Sequence, residues 1–293
     1  SGRCPEANLS KSRNIGIAMA TGDIVCFLDD DAIPEPDWLD ALEQAYLDET
    51  VGAVGGFIRD HSGVNFQARY LLCDRYGDSR AVTGPGDMPH DVDQPGAWEY
   101  VSQTGCNSSF RRQALLDVGG FDEEFAYFLD ETDVNLRIRD AGWRVRIEPT
   151  AEVHHKYAPS AERDHRNVPQ KLYLPLRSKA YFCLRHASHY RPLADIMRKL
   201  SEHGHDIQSH NQWYIDNGVI TDDHFRRLTD DVRRGLLDGT RDAFAQDEPQ
   251  LLSETLLREW EAANFHQFTI LRPAEERLRI TFLSQDYPPG KTG

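Results

Sequence analysis

Three adjacent aspartates, Asp29, Asp30 and Asp31, follow a short apolar segment that begins after Gly22. In an extended chain Asp29 and Asp31 point to one side and Asp30 points to the other. Adjacent carboxylates repel one another and raise each other's pKa. A hard divalent cation such as Mg²⁺ or Mn²⁺ relieves that repulsion, because it prefers oxygen ligands. A solvated acidic turn is the alternative for these residues alone, but their place after a predicted buried strand favours a metal site.

Two further groups of residues could take part in the same chemistry. Asp130, Glu131 and Asp133 stand at the start of a predicted helix, where the backbone N–H groups and the helix dipole favour anions. Ordinary capping of the first turn accounts for one or two of these acids. The pair His154 and His155 follows a strand-like segment, although a histidine pair means little by itself in a chain with 12 histidines.

The elements that must position these residues follow a layered α/β pattern. A helix is predicted over 8–22, a buried strand of a parallel sheet over 23–29, a helix opening at Pro34 or Pro36 and a second buried strand over 51–58. The segment 59–100 is rich in Gly, Pro, Asp and His and is predicted to be loop with some short helix.

The rest of the chain begins with a short strand, a polar turn and a helix between residues 101 and 120. A helix over 130–142 then leads into an alternating segment, 143–149, which is typical of an exposed edge strand ending at Pro149. Beyond about residue 160 the composition predicts helices, followed by a strand over 278–284.

Composition excludes several classes of protein. The chain has 293 residues, and 33 Lys+Arg against 48 Asp+Glu give a net charge of −15. An acidic chain lacks the basic footprint that nucleic-acid binding requires, so no nucleic-acid partner is expected. No apolar run approaches the roughly 18 residues of a membrane span. Five scattered cysteines without a CxxC pair indicate reduced thiols and a cytoplasmic protein.

Four segments, taken in order, resemble the inverting family 2 glycosyltransferases of the GT-A fold. They are SRNIGIAMATGDIVCFLDDDAIPEPDWL, GCNSSFRRQALLDVGGFDEEF, DETDVNLRIRDAGWRV and VHH, and the resemblance covers about residues 8–158. It implies metal-dependent transfer of a sugar, with inversion, from a nucleotide-sugar donor to an acceptor hydroxyl. The acceptor would be a saccharide or a lipid-linked molecule, as in the assembly of cell-envelope polysaccharide.

On the donor side, the resemblance implies that Asp29 and Asp31 bind Mg²⁺ or Mn²⁺ and the donor diphosphate. Asp30 would meet the ribose, and Arg13 and Asn14 would lie near the nucleotide. Such a metal acts as a Lewis acid on the leaving diphosphate.

On the acceptor side, the Glu-Asp pair of the family falls on Asp130 and Glu131, with the two residue types exchanged in this chain. One of them would be the general base that deprotonates the acceptor hydroxyl, and the exchange leaves open which one. His155 fits the family's metal-proximal histidine best, with His154 close behind. The resemblance also implies an acceptor-facing loop of three residues: Gly105, Cys106 and Asn107.

The resemblance also divides the chain. Residues 1–158 would form a partial GT-A domain, because the family's opening strand and a further βαβ unit are absent. On this interpretation the nucleotide-binding half is incomplete and the chain is a piece of a longer protein. Residues 159–275 would form a helical connector. Residues 276–293 resemble the first strand and Gly-rich loop of a family 4, GT-B-like module, which suggests a parent with two transferase modules in tandem.

Two alternatives to glycosyl transfer come from other classes. A sugar-phosphate nucleotidyltransferase uses a related fold and carboxylate-bound Mg²⁺, and a non-catalytic binding fragment would follow from the missing half. The acidic helix at 130–142 and the VHH segment favour transfer. The segment 172–200 mixes basic and apolar residues, and packing against the core is favoured over contact with the inner face of a membrane. At most, weak and salt-sensitive lipid association is expected.

Overall fold

The computed structural model describes residues 4–245, 248–262 and 280–284, with side chains for residues 4–245 and 248–258. The strands of this part of the chain are β1 (Ile24–Leu28), β2 (Ala32–Pro34), β3 (Val51–Arg59), β4 (Phe66–Ala68), β5 (Tyr70–Asp74), β6 (Ser79–Val82), β7 (Glu99–Ser102), β8 (Asn107–Arg111), β9 (Arg144–His155) and β10 (Ile280–Ser284). The helices are α1 (Leu9–Met19), α2 (Trp38–Ala45), α3 (Arg112–Asp117), α4 (Asp130–Asp140), α5 (Tyr173–Ala187), α6 (Leu193–Asp216), α7 (Asp222–Ala245) and α8 (Glu254–Ala262), with a 3-10 turn over Pro85–Asp87.

A mixed seven-stranded sheet forms the centre of the molecule, in the order β10-β1-β8-β3-β9-β2, with β4 paired to β3. Strand β1 is buried, as predicted. It runs parallel to β10 and antiparallel to β8. The predicted α/β class is therefore confirmed, while the sheet is mixed rather than parallel.

Helices cover both faces of this sheet, because the side chains of β1 alternate between two cores. Val25 and Phe27 pack with the apolar residues of α1, α3 and α4. Ile24 and Cys26 pack on the other face with Trp38 of α2 and its neighbours. This three-layer arrangement holds the turn after β1 at the edge of the sheet, between α1 and α4 on one side and α2 on the other.

The segment 59–100 is not the loop that its composition predicts. It contributes β4 to the main sheet, and β5 and β6 pair with β7 in a separate three-stranded antiparallel sheet, β6-β5-β7. The apolar residues Leu72 and Cys73 are buried on β5. The Gly, Pro and Asp residues around these short strands conceal them in the sequence, since such residues are typical of turns.

Strand β9 also differs from its prediction. It continues past Pro149 to His155 and lies inside the sheet between β3 and β2, so it is not an edge strand. Pro149 falls in a register break between Glu148 and Val153, where the ladder with β3 is interrupted. An interrupted ladder tolerates a residue without an N–H donor, so the proline does not end the strand.

The helical region after residue 160 is confirmed as α5 to α8, in which α5 packs along α7. The predicted strand over 278–284 appears as β10, beside β1 in the main sheet. The Gly-rich loop predicted after it lies outside the described residues, and the division into three domains stays a prediction. Among the described helices, none has both the length and the apolar character to cross a membrane.

Two glycines test how closely the helices pack. A Cβ on Gly235 would lie 2.6 Å from the backbone oxygen of Tyr173, whereas a Cβ on Gly204 would meet only side-chain atoms, the nearest being Leu236 Cδ1 at 2.8 Å. We expect Gly235→Ala to lower the free energy of unfolding by about 1–3 kcal/mol, because the backbone of α5 must move. The matched Gly204→Ala should cost less or stabilise, since alanine favours a helix by about 1 kcal/mol over glycine. Urea denaturation of both variants checks this, and equal losses would contradict it.

Candidate active site

The turn after β1 brings three predicted residues together. Strand β2 pairs with the end of β9 so that Ala32 stands opposite His155. The Nε2 atom of His155 therefore lies 3.1 Å from Oδ1 of Asp31 and 4.0 Å from Oδ2 of Asp29. The backbone N–H of Ala158 donates to the second oxygen of Asp31, at 2.7 Å, and so fixes that carboxylate. Asp30 is exposed.

Gln67 orients the histidine of this group. Its Oε1 atom lies 2.8 Å from Nδ1 of His155. The ring thus faces an amide oxygen on one side and the Asp31 carboxylate on the other, and both are acceptors. In the tautomer that donates Nδ1–H to Gln67, Nε2 presents its lone pair toward Asp31, where a divalent cation could bind. The sequence gives no signal for Gln67, because β4 lies in a segment predicted as loop.

Cys106 completes a set of atoms that could hold a metal ion. One ligand atom each from Asp29, Cys106 and His155 lie within 4.8 Å of one another. Burial, followed by the charge of Asp29, raises the pKa of the Cys106 thiol to about 12. Without a metal ion the thiol therefore stays protonated. The carboxylates and the imidazole suit a divalent cation that accepts oxygen and nitrogen ligands, so the residues present fit the predicted metal.

His154 lies elsewhere. Successive side chains of a strand point to opposite faces, and Nε2 of His154 lies 2.5 Å from Oε1 of Glu35 on the other side of β9. Glu152 is also near His154 and forms an ion pair with Arg59. Of the two predicted histidines, only His155 joins the aspartates.

The predicted acids of α4 approach the same region from the opposite side. Phe128 and Leu129 have φ angles of 72° and 65°, a backbone conformation that is rare for residues other than glycine. They turn the chain so that Asp130 and Glu131 form the first turn of α4. Burial, followed by the charge of Asp130, raises the pKa of Glu131 to about 8. Such backbone outliers concentrate at functional sites.

Arg13 lies between the acids after β1 and the acids of α4. It forms an ion pair with Asp130, and both side chains are buried, with 4% and 1% exposed. Its guanidinium lies 5.1 Å from the ring centre of Phe121. Although burial raises the pKa of Asp29, the positive charge of Arg13 opposes that rise. Arg13 was expected near the nucleotide, and here its charge is directed to the carboxylates.

The loop expected to face the acceptor packs directly on this arginine. A Cβ on Gly105 would lie 2.6 Å from Nη2 of Arg13, so a side chain at this position would displace the guanidinium. The charges of Asp29, Glu131 and Asp31 all act on the thiol of Cys106 in the same loop. The loop therefore lies between the two acidic groups.

Asn14 and Asn107 have their amide groups engaged within the fold. Asn14 accepts from the backbone N–H of Phe121 and donates to its carbonyl, both at 2.8 Å. Asn107 accepts from the indole of Trp38 at 2.9 Å and donates to the carbonyl of Ala151 at 2.9 Å. These contacts hold the surrounding segments in place.

Comparison with known proteins agrees with this geometry. Residues 3–119 match the sequence model of glycosyl transferase family 2. The chain is similar to the pre-mycofactocin glycosyltransferase of Mycobacterium tuberculosis, with 36% identity over 50% of this chain and 29% of that protein. It is also similar to the glucosyl-dolichyl phosphate glucuronosyltransferase of Haloferax volcanii, with 32% identity over 52% of this chain and 50% of that protein. The chain spans half or less of the length of these relatives.

A solved structure of GalNAc-T7 with UDP, GalNAc and Mn²⁺ covers 67% of this chain and 40% of its own, at 18% identity and a TM-score of 0.42. That likeness is too distant to carry an argument. The family match and the named relatives support the predicted family and the GT-A-like class, and they support a transferase enzyme.

The pair Arg13–Asp130 gives a stability prediction. We expect Arg13→Met to lower the free energy of unfolding by about 3–5 kcal/mol, because it leaves a buried carboxylate without its cation. Adding Asp130→Asn should recover part of that loss. Lys11→Met, which breaks an ion pair with the more exposed Glu6, should change stability little. A double-mutant cycle in urea checks this. Losses of the same size in Arg13→Met and Lys11→Met would contradict it.

Proposed function

We propose that this protein transfers a sugar from a nucleotide-sugar donor to an acceptor hydroxyl, with the help of a divalent metal ion and with inversion. One observation carries the proposal. The turn after β1 presents Asp29 and Asp31 with His155, and α4 presents Asp130 and Glu131 toward the same loop, with Arg13 between them. Sugar transfer needs a cation that neutralises the leaving diphosphate and a base that deprotonates the acceptor. The residues after β1 could hold the cation, and the acids of α4 could supply the base.

The metal site of this proposal consists of Asp29, Asp31 and His155. A divalent cation bound there would act as a Lewis acid on the diphosphate leaving group. A cation at this position would stabilise the ionised carboxylate of Asp29. Burial, together with the charges of Asp31 and Asp130, raises its pKa above the usual range. Gln67 would keep Nε2 of His155 directed at the ion, as outer-shell partners of metal ligands commonly do.

We assign the general base to Glu131. Asp130 is held by Arg13 in a buried ion pair, so its charge is already neutralised. Glu131 is half-buried, and its pKa of about 8 lies near working pH. A base whose pKa lies near the working pH is present in its deprotonated form and still binds a proton strongly enough to take it from the acceptor hydroxyl. Direct attack by the deprotonated hydroxyl would invert the anomeric centre.

The identity of the partners is part of the same proposal. The donor is a nucleotide sugar, and the acceptor is a saccharide or a lipid-linked molecule. The name of the Haloferax volcanii relative refers to glucosyl-dolichyl phosphate, and another relative is an N-acetylglucosaminyl-diphospho-decaprenol L-rhamnosyltransferase. These names favour sugar transfer over nucleotidyl transfer. A cytoplasmic location and a second transferase module remain predictions.

The metal site can be tested by calorimetry on the intact protein. We expect Mn²⁺ to bind weakly alone and more tightly with a nucleoside diphosphate, because phosphate oxygens complete its coordination. Asp29→Asn combined with Asp31→Asn should weaken Mn²⁺ binding by more than about tenfold. The pair Asp37→Asn and Asp40→Asn changes the charge equally at two exposed positions, one just before α2 and one in its first turn, and should leave binding unchanged. Equal Mn²⁺ affinity in the two double variants would refute the site.

The base can be tested by steady-state kinetics. We expect Glu131→Gln to lower kcat by about 10²-fold or more, with donor binding largely kept. Because Glu131 loses its proton only near pH 8, kcat/KM of the unaltered protein should rise with pH up to about 8 and then level off. The variant should lack that rise. Glu49→Gln, at an exposed position, should behave like the unaltered protein. Near-normal turnover of Glu131→Gln would remove Glu131 from the mechanism.

A further inference from the structure

A second cluster of metal-ligating side chains lies on the face of β9 opposite to His155. Successive side chains of a strand point to opposite faces, so Glu152 and His154 share one face and His155 lies on the other. One ligand atom each from Glu35, Glu152 and His154 lie within 4.8 Å of one another. These three residues take no part in the proposed transfer site.

The pairing of β2 with β9 builds this cluster. Ile33 stands opposite His154, and the N–H of Glu35 donates to the carbonyl of Glu152 at 3.0 Å. Glu35 and Glu152 therefore stand opposite each other across the two chain segments, and like charges so placed destabilise a sheet. The backbone thus brings two carboxylates and one imidazole together before any ligand binds.

One cation already lies beside the cluster. Arg59 of β3 forms an ion pair with Glu152, and its guanidinium lies 4.4 Å from the ring centre of Phe66. This arginine compensates one of the two carboxylates. The other carboxylate contacts the histidine, with Oε1 of Glu35 2.5 Å from Nε2 of His154. With a neutral imidazole the group keeps one net negative charge, which either a proton on His154 or a metal ion in its place would compensate.

The distances in the cluster suit a zinc ion. In a tetrahedral site with bonds of about 2.1 Å, the ligand atoms lie about 3.4 Å apart. Nε2 of His154 lies 2.5 Å from Oε1 of Glu35 and 4.0 Å from Oε1 of Glu152, so small movements of the side chains would equalise the spacing. Arg59 can keep its contact, because a carboxylate oxygen accepts more than one partner. A set that includes an imidazole suits Zn²⁺ better than Mg²⁺.

The cluster is open to solvent on one side. The side chains of Glu35 and His154 are 40% and 37% exposed, whereas that of Glu152 is 16% exposed. An ion can therefore enter from solvent, and a water molecule can take its fourth position. The two outer ligands have room to adjust, while Glu152 is held by Arg59 in the manner of an outer-shell partner.

From these observations we infer that Glu35, Glu152 and His154 form a second metal site, which binds Zn²⁺ with three protein ligands and a water molecule. The ion would join β2 to β9 on one face of the sheet, while Asp31 and His155 meet on the other. It would thereby stabilise the strand pairing on which that meeting depends. This site does not depend on the proposed transfer reaction, so it can be tested without measuring activity.

Calorimetric titration with ZnCl₂ tests the site directly. The protein carries Asp29→Asn and Asp31→Asn, so that the carboxylates of the other site cannot hold the ion. We expect Zn²⁺ to bind, and the further change His154→Ala should lower its affinity by at least about tenfold, because one of three protein ligands is lost. The matched control is His165→Ala, at an exposed position, which should bind Zn²⁺ as its parent does.

A second pair of variants tests the carboxylates. Glu35→Gln keeps the size of the side chain and should also weaken Zn²⁺ binding, whereas Glu49→Gln, at an exposed position, should not. Near-UV circular dichroism verifies that each variant is folded. The X-ray absorption spectrum of the bound zinc should show nitrogen and oxygen ligands, and it should lose the imidazole signal in His154→Ala.

A last measurement separates the two sites. In the otherwise unaltered protein, His154→Ala should leave the binding of Mn²⁺ with a nucleoside diphosphate unchanged, because His154 faces away from Asp31. Loss of that binding would place His154 in the other site. Absence of Zn²⁺ binding would mean that the cluster is an ion pair only, and equal Zn²⁺ affinity in His154→Ala and His165→Ala would place the ion elsewhere. Any of these three results would overturn the inference.

Discussion

The buried ion pair between Arg13 and Asp130 is the constraint on which the arrangement of the site depends. It joins α1 to the first turn of α4, two elements that are far apart in the chain. A charge removed from water must be paired, so neither residue can be placed without the other. Gly105 has no room for a side chain because Arg13 occupies that space. The loop, the two helices and the acids they present are therefore positioned as a unit.

The same arginine limits the repulsion among the acids without removing it. Its charge favours the ionised forms of Asp29 and Glu131, yet burial raises the pKa of both carboxyl groups. A single buried cation does not neutralise four neighbouring carboxylates. The residual strain is typical of a functional site, where local stability is given up for chemistry. A divalent ion beside Asp29 and Asp31 would relieve the repulsion between carboxylates that Arg13 does not neutralise.

Local sequence patterns predict β1 with the aspartates that follow it, and α4 with the acids of its first turn. Burial of the strand and the charge at the start of the helix both depend on residues that are close in sequence. These patterns do not distinguish His154 from His155, although the family resemblance favours His155. Which of the two faces Asp31 depends on the register of β9 against β2, and a shift of one residue would exchange them. The partner of Arg13 and the role of Gln67 likewise depend on long-range pairing. The strands β4, β5 and β6 give no clear signal in the sequence, because they are short and their flanks are typical of turns.

Helix α4 carries opposite charges at its two ends. Its first turn contains Asp130, Glu131 and Asp133, and its last turn contains Arg137 and Arg139. This order follows the helix dipole, which favours acids at the start of a helix and bases at its end. Asp140, the last residue of the helix, then forms an ion pair with Arg75. One helix thus positions the acids at its start and the arginines at its end, and the ion pair between Asp133 and Arg137 joins the two groups along its surface.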